Sequence, residues 1–291
     1  MSAPLAHRVW HAKPLQKVVG ARFSVRRFHD ARLPNSRHNQ HMNAVSSLQL
    51  VPLLEIMRDY HRLPRNQERF EAYISMVTGG AQATADLAFP PLVAMNPMGK
   101  DHVLERLEAW IGLDAERFVA ATLGEGVARL ERDLPPLKLG LVIVDDLQGG
   151  WTNRYFNDTG FRFKLTGIKK MGWVSVPLWS SETPNLETLR LETLETVARV
   201  AYFWQHGEPQ TLAEMLRQEG QATAFAGRKG TMSFDDLEYT RAILEPLLDS
   251  THQPTVMAAL YGDDAAISLG YPPLGVSPRA GFELALWEAQ K

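Results

Sequence analysis

Between Leu137 and Lys164 the chain gathers the side chains best suited to chemistry. The apolar run Leu139-Gly140-Leu141-Val142-Ile143-Val144 ends in the acidic pair Asp145-Asp146. Gly149-Gly150 follows, and then Trp151, Asn153, Arg154, Tyr155, Asn157 and Asp158. A buried strand that delivers acids, a guanidinium and amides into a Gly-rich loop is a common way to build a site. One strand-end carboxylate could act as a general base or a metal ligand, with Asp158 as a second acid. Successive strand residues face opposite sides, so only one of Asp145 and Asp146 should enter a given crevice unless the chain turns there. The purely structural use is that Asp146 caps a turn and Asp145 pairs with Arg154.

Arg154 offers a planar fork that suits a carboxylate or phosphate, and Asn153 and Tyr155 add an amide and a phenol. Trp151 could stack on a ligand beside them, although tryptophans here (Trp151, Trp173 and Trp179) more often fill a core beneath a loop. His206 follows a long helical pattern; it could exchange protons, but the same position suits a histidine charged by the helix dipole. Glu187, Glu192 and Glu195 precede it without forming a Glu-x-x-His pair, which weakens a dimetal reading. Gly227-Arg-Lys-Gly230 could meet an anion, though such loops are usually solvated turns. The phosphate-loop, dinucleotide, nucleophile-elbow and His-Glu-x-x-His patterns are missing.

These residues imply an enzyme or ligand-binding protein acting on a small polar, anionic molecule by carboxylate acid–base or metal-assisted chemistry. A hydrolase dependent on a divalent metal falls within that class. The candidate catalytic residues are Asp145, Asp146, Asp158 and His206, and the candidate ligand-binding residues are Trp151, Asn153, Arg154 and Tyr155.

The elements that must position them are mostly helical. Apolar spacing over Pro52–His61 is helical, with Leu50, Val51, Leu54 and Met57 on one side. Phe70, Tyr73, Ile74 and Val77 give a clean amphipathic helix ended by Gly79-Gly80. Residues 81–99 read as an irregular connection. Asn96-Pro97 looks like the start of a helix burying Leu104, Leu107 and Ile111. Asp114 caps another, expected to bend at Gly124 and Gly126 and to end at Pro135-Pro136.

Residues 138–145 are the strongest strand, apolar enough to be buried on both faces. Phe161–Leu165 and Trp173–Trp179 are its expected partners, the second an edge strand or a short one because of Pro177. Leu186–Gln205 is the longest helix. Thr211-Leu-Ala-Glu214 is a capping box, Ser233-Phe-Asp-Asp236 a weaker one, and Ser277-Pro278 opens the last helix. Helices in runs around one short strand region favour a helix-rich α+β fold, many amphipathic helices around a small sheet, over a doubly wound one. Residues 42–291 are expected to be one globular domain with the strands in 137–180.

Of 291 residues, 45% are hydrophobic and none is cysteine, which removes disulfides and thiolate chemistry from this chain. No window is long and apolar enough for a membrane helix, and a cytoplasmic location is the expectation. The formal net charge is −2, but it is unevenly spread. Residues 1–41 carry eight cations and one acid, leaving the rest of the chain at −9. That arm could be a presequence for organellar import, a phosphate-contacting tail, or an extension ahead of a start at Met42. It also holds His7-x-x-x-His11 and His38-x-x-His41, spaced for a metal but without a second shell to orient them. The alternative function is accordingly a non-catalytic interaction protein whose arm contacts nucleic acid, a membrane or a protein partner.

Overall fold

A computed structural model describes residues 47–79, 87–147 and 152–291. The basic arm, its histidine pairs and Trp151 lie outside the described residues. Everything described belongs to one compact unit, Val45–Lys291. Its architecture is helix-rich α+β: twelve α-helices and a three-stranded parallel sheet.

The sheet follows from the apolar run. β1 (Leu48–Leu50), β2 (Leu137–Val144) and β3 (Trp173–Trp179) lie side by side in that order. β2 is central: Leu48 aligns with Leu137 on one side, and Lys138 through Val144 align with Trp173 through Trp179 on the other. Flanked on both edges and covered on both faces, β2 buries all but Lys138, which is why it reads as continuous apolar sequence. Pro177 is tolerated because β3 is an edge strand.

Four helices separate β1 from β2. They are α1 (Leu54–His61), α2 (Gln67–Thr78), α3 (Asp101–Gly112) and α4 (Ala115–Ala128), with a 3-10 turn at Pro90–Ala94. Leu50 ends β1 and Val51 follows it, its N–H donating to Leu139 O, so neither belongs to α1. α1 is capped from outside, by Glu116 accepting from the N–H groups of Leu53 and Leu54 at 2.6 and 2.9 Å. The expected helix start at Asn96 is wrong. Asn96 instead accepts from Met98 N and donates to Asp145, so α3 begins five residues later and buries Val103, Leu107 and Trp110. α4 runs unbroken through Gly124 and Gly126. A Cβ at Gly126 would meet Leu194 at 3.0 Å, so the glycine admits a neighbouring helix.

The crossover from β2 to β3 is helical: α5 (Arg154–Phe163) and α6 (Thr166–Met171). This corrects the strand expected at Phe161–Leu165. Phe161, Phe163 and Leu165 alternate like a strand, but the face α5 buries is Asp158, Arg162 and Phe163. A helix whose buried stripe is ionic escapes any search for apolar periodicity. After β3 come α7 (Leu186–His206), α8 (Leu212–Ala226), α9 (Phe234–Leu244), α10 (Gln253–Tyr261), α11 (Asp263–Ser268) and α12 (Ala280–Ala289). Asn185, Thr211 and Ser233 cap α7, α8 and α9, and Thr211–Glu214 form the full capping box.

The core has two apolar clusters. One surrounds the sheet, with Leu53, Met57, Leu107, Val119, Leu141, Ile143, Val197 and Val200. The other joins α8, α9, α10 and α12 through Leu216, Leu244, Met257, Leu260 and Phe282. α5 touches both, Phe161 packing against the first and Phe163 lying within the second.

Candidate functional site

Two polar groupings meet at the carboxyl end of the sheet, where open parallel sheets usually bind ligands. The first is built on the strand ends. Asp145 follows β2 directly and is buried. Its Oδ2 accepts from Asn96 Nδ2 at 2.8 Å, and its Oδ1 from His102 Nε2 at 2.8 Å. The Ser180 hydroxyl, just past β3, lies 3.0 Å from Asp145 Oδ1 and 3.2 Å from Asp146 Oδ1. Burial pushes the Asp145 carboxyl up, but the hydrogen bonds from His102, Asn96 and Ser180 prevail and hold it below the ordinary aspartate range. An ionised Asp145 can only accept, so His102 carries its proton on Nε2 and leaves Nδ1 as the basic nitrogen. Asp145 thus fixes the orientation of the His102 ring.

Asp146 turns the other way. It accepts from Ser181 N at 2.9 Å, Ser181 Oγ at 2.7 Å and Arg154 Nη1 at 3.0 Å. The chain turns enough for both acids to share Ser180, yet they serve opposite sides. Arg154 also binds Glu182 and lies over the Trp179 ring, 4.5 Å from its centroid. Its guanidinium is held by two carboxylates.

The second grouping is a cleft of about 470 Å³ beside the end of β3. The strand and the turn after it contribute Pro177, Leu178, Trp179 and Glu182. α5 contributes Arg154, Tyr155, Asp158 and Arg162; α7 and its cap contribute Asn185, Thr188 and Glu192. Arg228, Tyr261, Asp264 and Arg279 complete the far wall.

Behind this wall lies a buried ionic network. Arg162 donates to Asp158 at 2.8 Å and to Glu219 at 2.7 Å. Arg199 donates to Glu219 at 2.7 and 2.9 Å and to Glu195 at 2.7 Å. Arg228 closes the chain on Glu195 at 2.5 Å and Glu192 at 3.2 Å. Tyr261 adds a hydroxyl donated to Asp158 at 2.8 Å. Burial works against charge on Asp158, but the adjacent Arg162 overrides it and lowers that carboxyl. Burial also opposes charge on Glu219, which Arg199 and Arg162 outweigh. Glu195 goes the opposite way: burial and then the neighbouring Glu192 raise it despite its arginines. Burial, and next the Asp158 charge, push the Tyr261 phenol well above its ordinary value.

Of the residues singled out in the sequence, Arg154, Tyr155 and Asp158 line the cleft. Asn153 is spent capping α5, accepting from Phe156 N at 3.2 Å. Asp145 and Asp146 are not in the cleft lining, nor is His206, which ends α7 with its ring against Tyr202, the C-cap being Gly207. Sequence reading missed Arg162, Arg199, Glu219, Tyr261, Arg279 and His102. The i, i+4 pairs Asp158–Arg162 and Glu195–Arg199 were the visible signal, ordinarily taken for a solvated face. Among the described residues no three His, Asp or Glu side chains are grouped to hold a metal ion, and no helix is long and apolar enough to cross a membrane. No known protein family, curated protein or solved structure matches the chain.

Proposed function

We propose that the cleft beside β3 binds a small polar molecule through an anionic group, with Arg279 as the recognising cation. One observation carries this reading. Arg154, Arg162 and Arg228 are each held by carboxylates, whereas Arg279 lines the same cleft with no ion-pair partner within 4.0 Å among the described residues. It also holds a left-handed backbone, φ 60°. That conformation costs a non-glycine residue about 1–2 kcal/mol, and persistent backbone strain concentrates at ligand clamps. Its guanidinium rests on the Phe282 ring, 4.6 Å from the centroid. Tyr155 is the orienting group, and Arg154 shapes the wall instead of gripping the ligand.

The test is thermal unfolding of the full chain at matched ionic strength with 10 mM acetate, succinate, 3-phenylpropanoate, inorganic phosphate or L-phenylalanine. A ligand with Kd near 1 mM stabilises by about 1.4 kcal/mol at that concentration, a shift of about 3–6 °C for a domain of this size. At least one probe should give that shift, and Arg279→Asn, which tolerates the left-handed backbone, should lose it. No shift with any probe, or an undiminished shift in Arg279→Asn, overturns the reading.

A further inference from the structure

We infer that the ligand of this cleft is a zwitterion, an α-amino acid with an aromatic side chain. The inference rests on the cleft being a binding site read by Arg279, and adds a second charge to what it reads. Among the charged side chains lining the cleft, the carboxylates Asp158, Glu182 and Glu192 are each within an ion pair to arginine. Asp264 is the exception. It is exposed, lines the cleft from α11, and has no hydrogen bond or ion pair among the described residues. Its neighbour Asp263 is the one spent locally, accepting from the N–H groups of Leu274 and Gly275 at 2.9 Å each.

The cleft therefore offers one cation and one anion that have no ion-pair partner among the described residues, although the Arg279 charge also helps to lower the Asp158 carboxyl. A plain anion is drawn to Arg279 and repelled by Asp264, and a plain cation meets the reverse. A molecule carrying both charges satisfies both groups, and neither charge has to be buried alone. Tyr155, Tyr261 and Trp179 line the same cleft, an aromatic wall for the body of such a molecule. Tyr155 and Tyr261 already meet edge to face at 5.4 Å, an arrangement that a third ring can extend.

The experiment is calorimetric titration of the full chain with L-phenylalanine, 3-phenylpropanoate and 2-phenylethylamine, which carry both charges, the carboxylate alone and the ammonium alone. L-phenylalanine should bind at least tenfold more tightly than either single-charge analogue. In Asp264→Asn its preference over 3-phenylpropanoate should shrink to within about threefold, as loss of one exposed charge pair implies. In Arg279→Asn its preference over 2-phenylethylamine should shrink likewise. Equal or tighter binding of 3-phenylpropanoate, or an unchanged preference in Asp264→Asn, overturns the zwitterion while leaving the anion-binding cleft intact. The same holds if none of the three binds but inorganic phosphate or succinate does, reversibly and through Arg279. Failure of every probe in both experiments removes both.

Discussion

Asp145 and His61 show how differently burial acts on single residues. Asp145 is buried but meets three donors, so it stays ionised and fixes His102. His61 is buried against Arg69, whose guanidinium donates to His61 Nδ1, so the proton must sit on Nε2, which has no partner. Burial and then the Arg69 charge lower His61 from 6.5 to about 3. The sign of the linkage follows. Between those values the unfolded chain binds a proton that the folded one refuses, so stability falls as pH falls through that window. One proton corresponds to a slope of at most about 1.4 kcal/mol per pH unit. Asp145, with its lowered carboxyl, adds its own loss only once pH drops below about 4. His61→Gln keeps an acceptor for Arg69 and removes the titration. Urea unfolding at pH 4.5–6.5 should show a flatter profile for that variant, and an unchanged slope would sink the assignment.

At the scale of elements, close approach of backbones decides what helix propensity alone would get wrong. Alanine is a better helix former than glycine by about 1 kcal/mol, so Gly220 in the interior of α8 looks replaceable. A Cβ there would sit 2.4 Å from Ala285 O, a backbone atom of α12 that cannot swing aside. Gly220→Ala should therefore destabilise by about 1–3 kcal/mol, the usual range for overpacking, as measured by urea unfolding with an unchanged m-value. A stabilised variant would show that the two helices can part at little cost. This is also where legibility in the sequence divides. β2, the α8 capping box and the edge position of β3 were plain because apolar runs, Thr-x-x-Glu and a strand proline act locally. α5 was misread, and the start of α3 misplaced, because tertiary partners made the choice: Asp158 and Arg162 were drawn inward by Glu219, and Asn96 was claimed by Asp145. The cleft was legible in Arg154, Tyr155 and Asp158, which are near in sequence. It was not legible in Arg228, Tyr261, Asp264 and Arg279, which come from elements with no sequence cue linking them to α5.

Across the whole molecule, the two apolar clusters meet over charge. The network of Asp158, Arg162, Glu192, Glu195, Arg199, Glu219 and Arg228 spans α5, α7, α8 and the turn after α8, and the cleft opens on it. α5 and α8 carry the apolar contacts of the second cluster, and α7 those of the first. Such a network is weak evidence of net stability, because well-packed apolar side chains often do as well. Its parts are nonetheless interdependent, since a buried arginine that loses an acceptor keeps N–H groups with nothing to bond. Glu219 is the carboxylate that accepts hydrogen bonds from both Arg162 and Arg199. Glu219→Ala should cost about 3–5 kcal/mol, a large share of the roughly 5–15 kcal/mol that holds a typical domain. It should also loosen the seam between the clusters. In the wild type, tryptophan fluorescence, to which Trp110, Trp173 and Trp179 in the sheet cluster contribute together with Trp204 beside it and Trp287 on the second, and far-UV circular dichroism should follow one urea transition. In Glu219→Ala the helical signal should fall first, because the second cluster is wholly helical and depends on α8 for its contact with α7. Coincident transitions and a loss below about 1 kcal/mol would mean that the network is an incidental patch of paired charge, and that apolar contact alone joins the two clusters. Glu219→Gln, which keeps one acceptor and nearly the same volume, should fall between the wild type and Glu219→Ala, separating lost charge from lost packing.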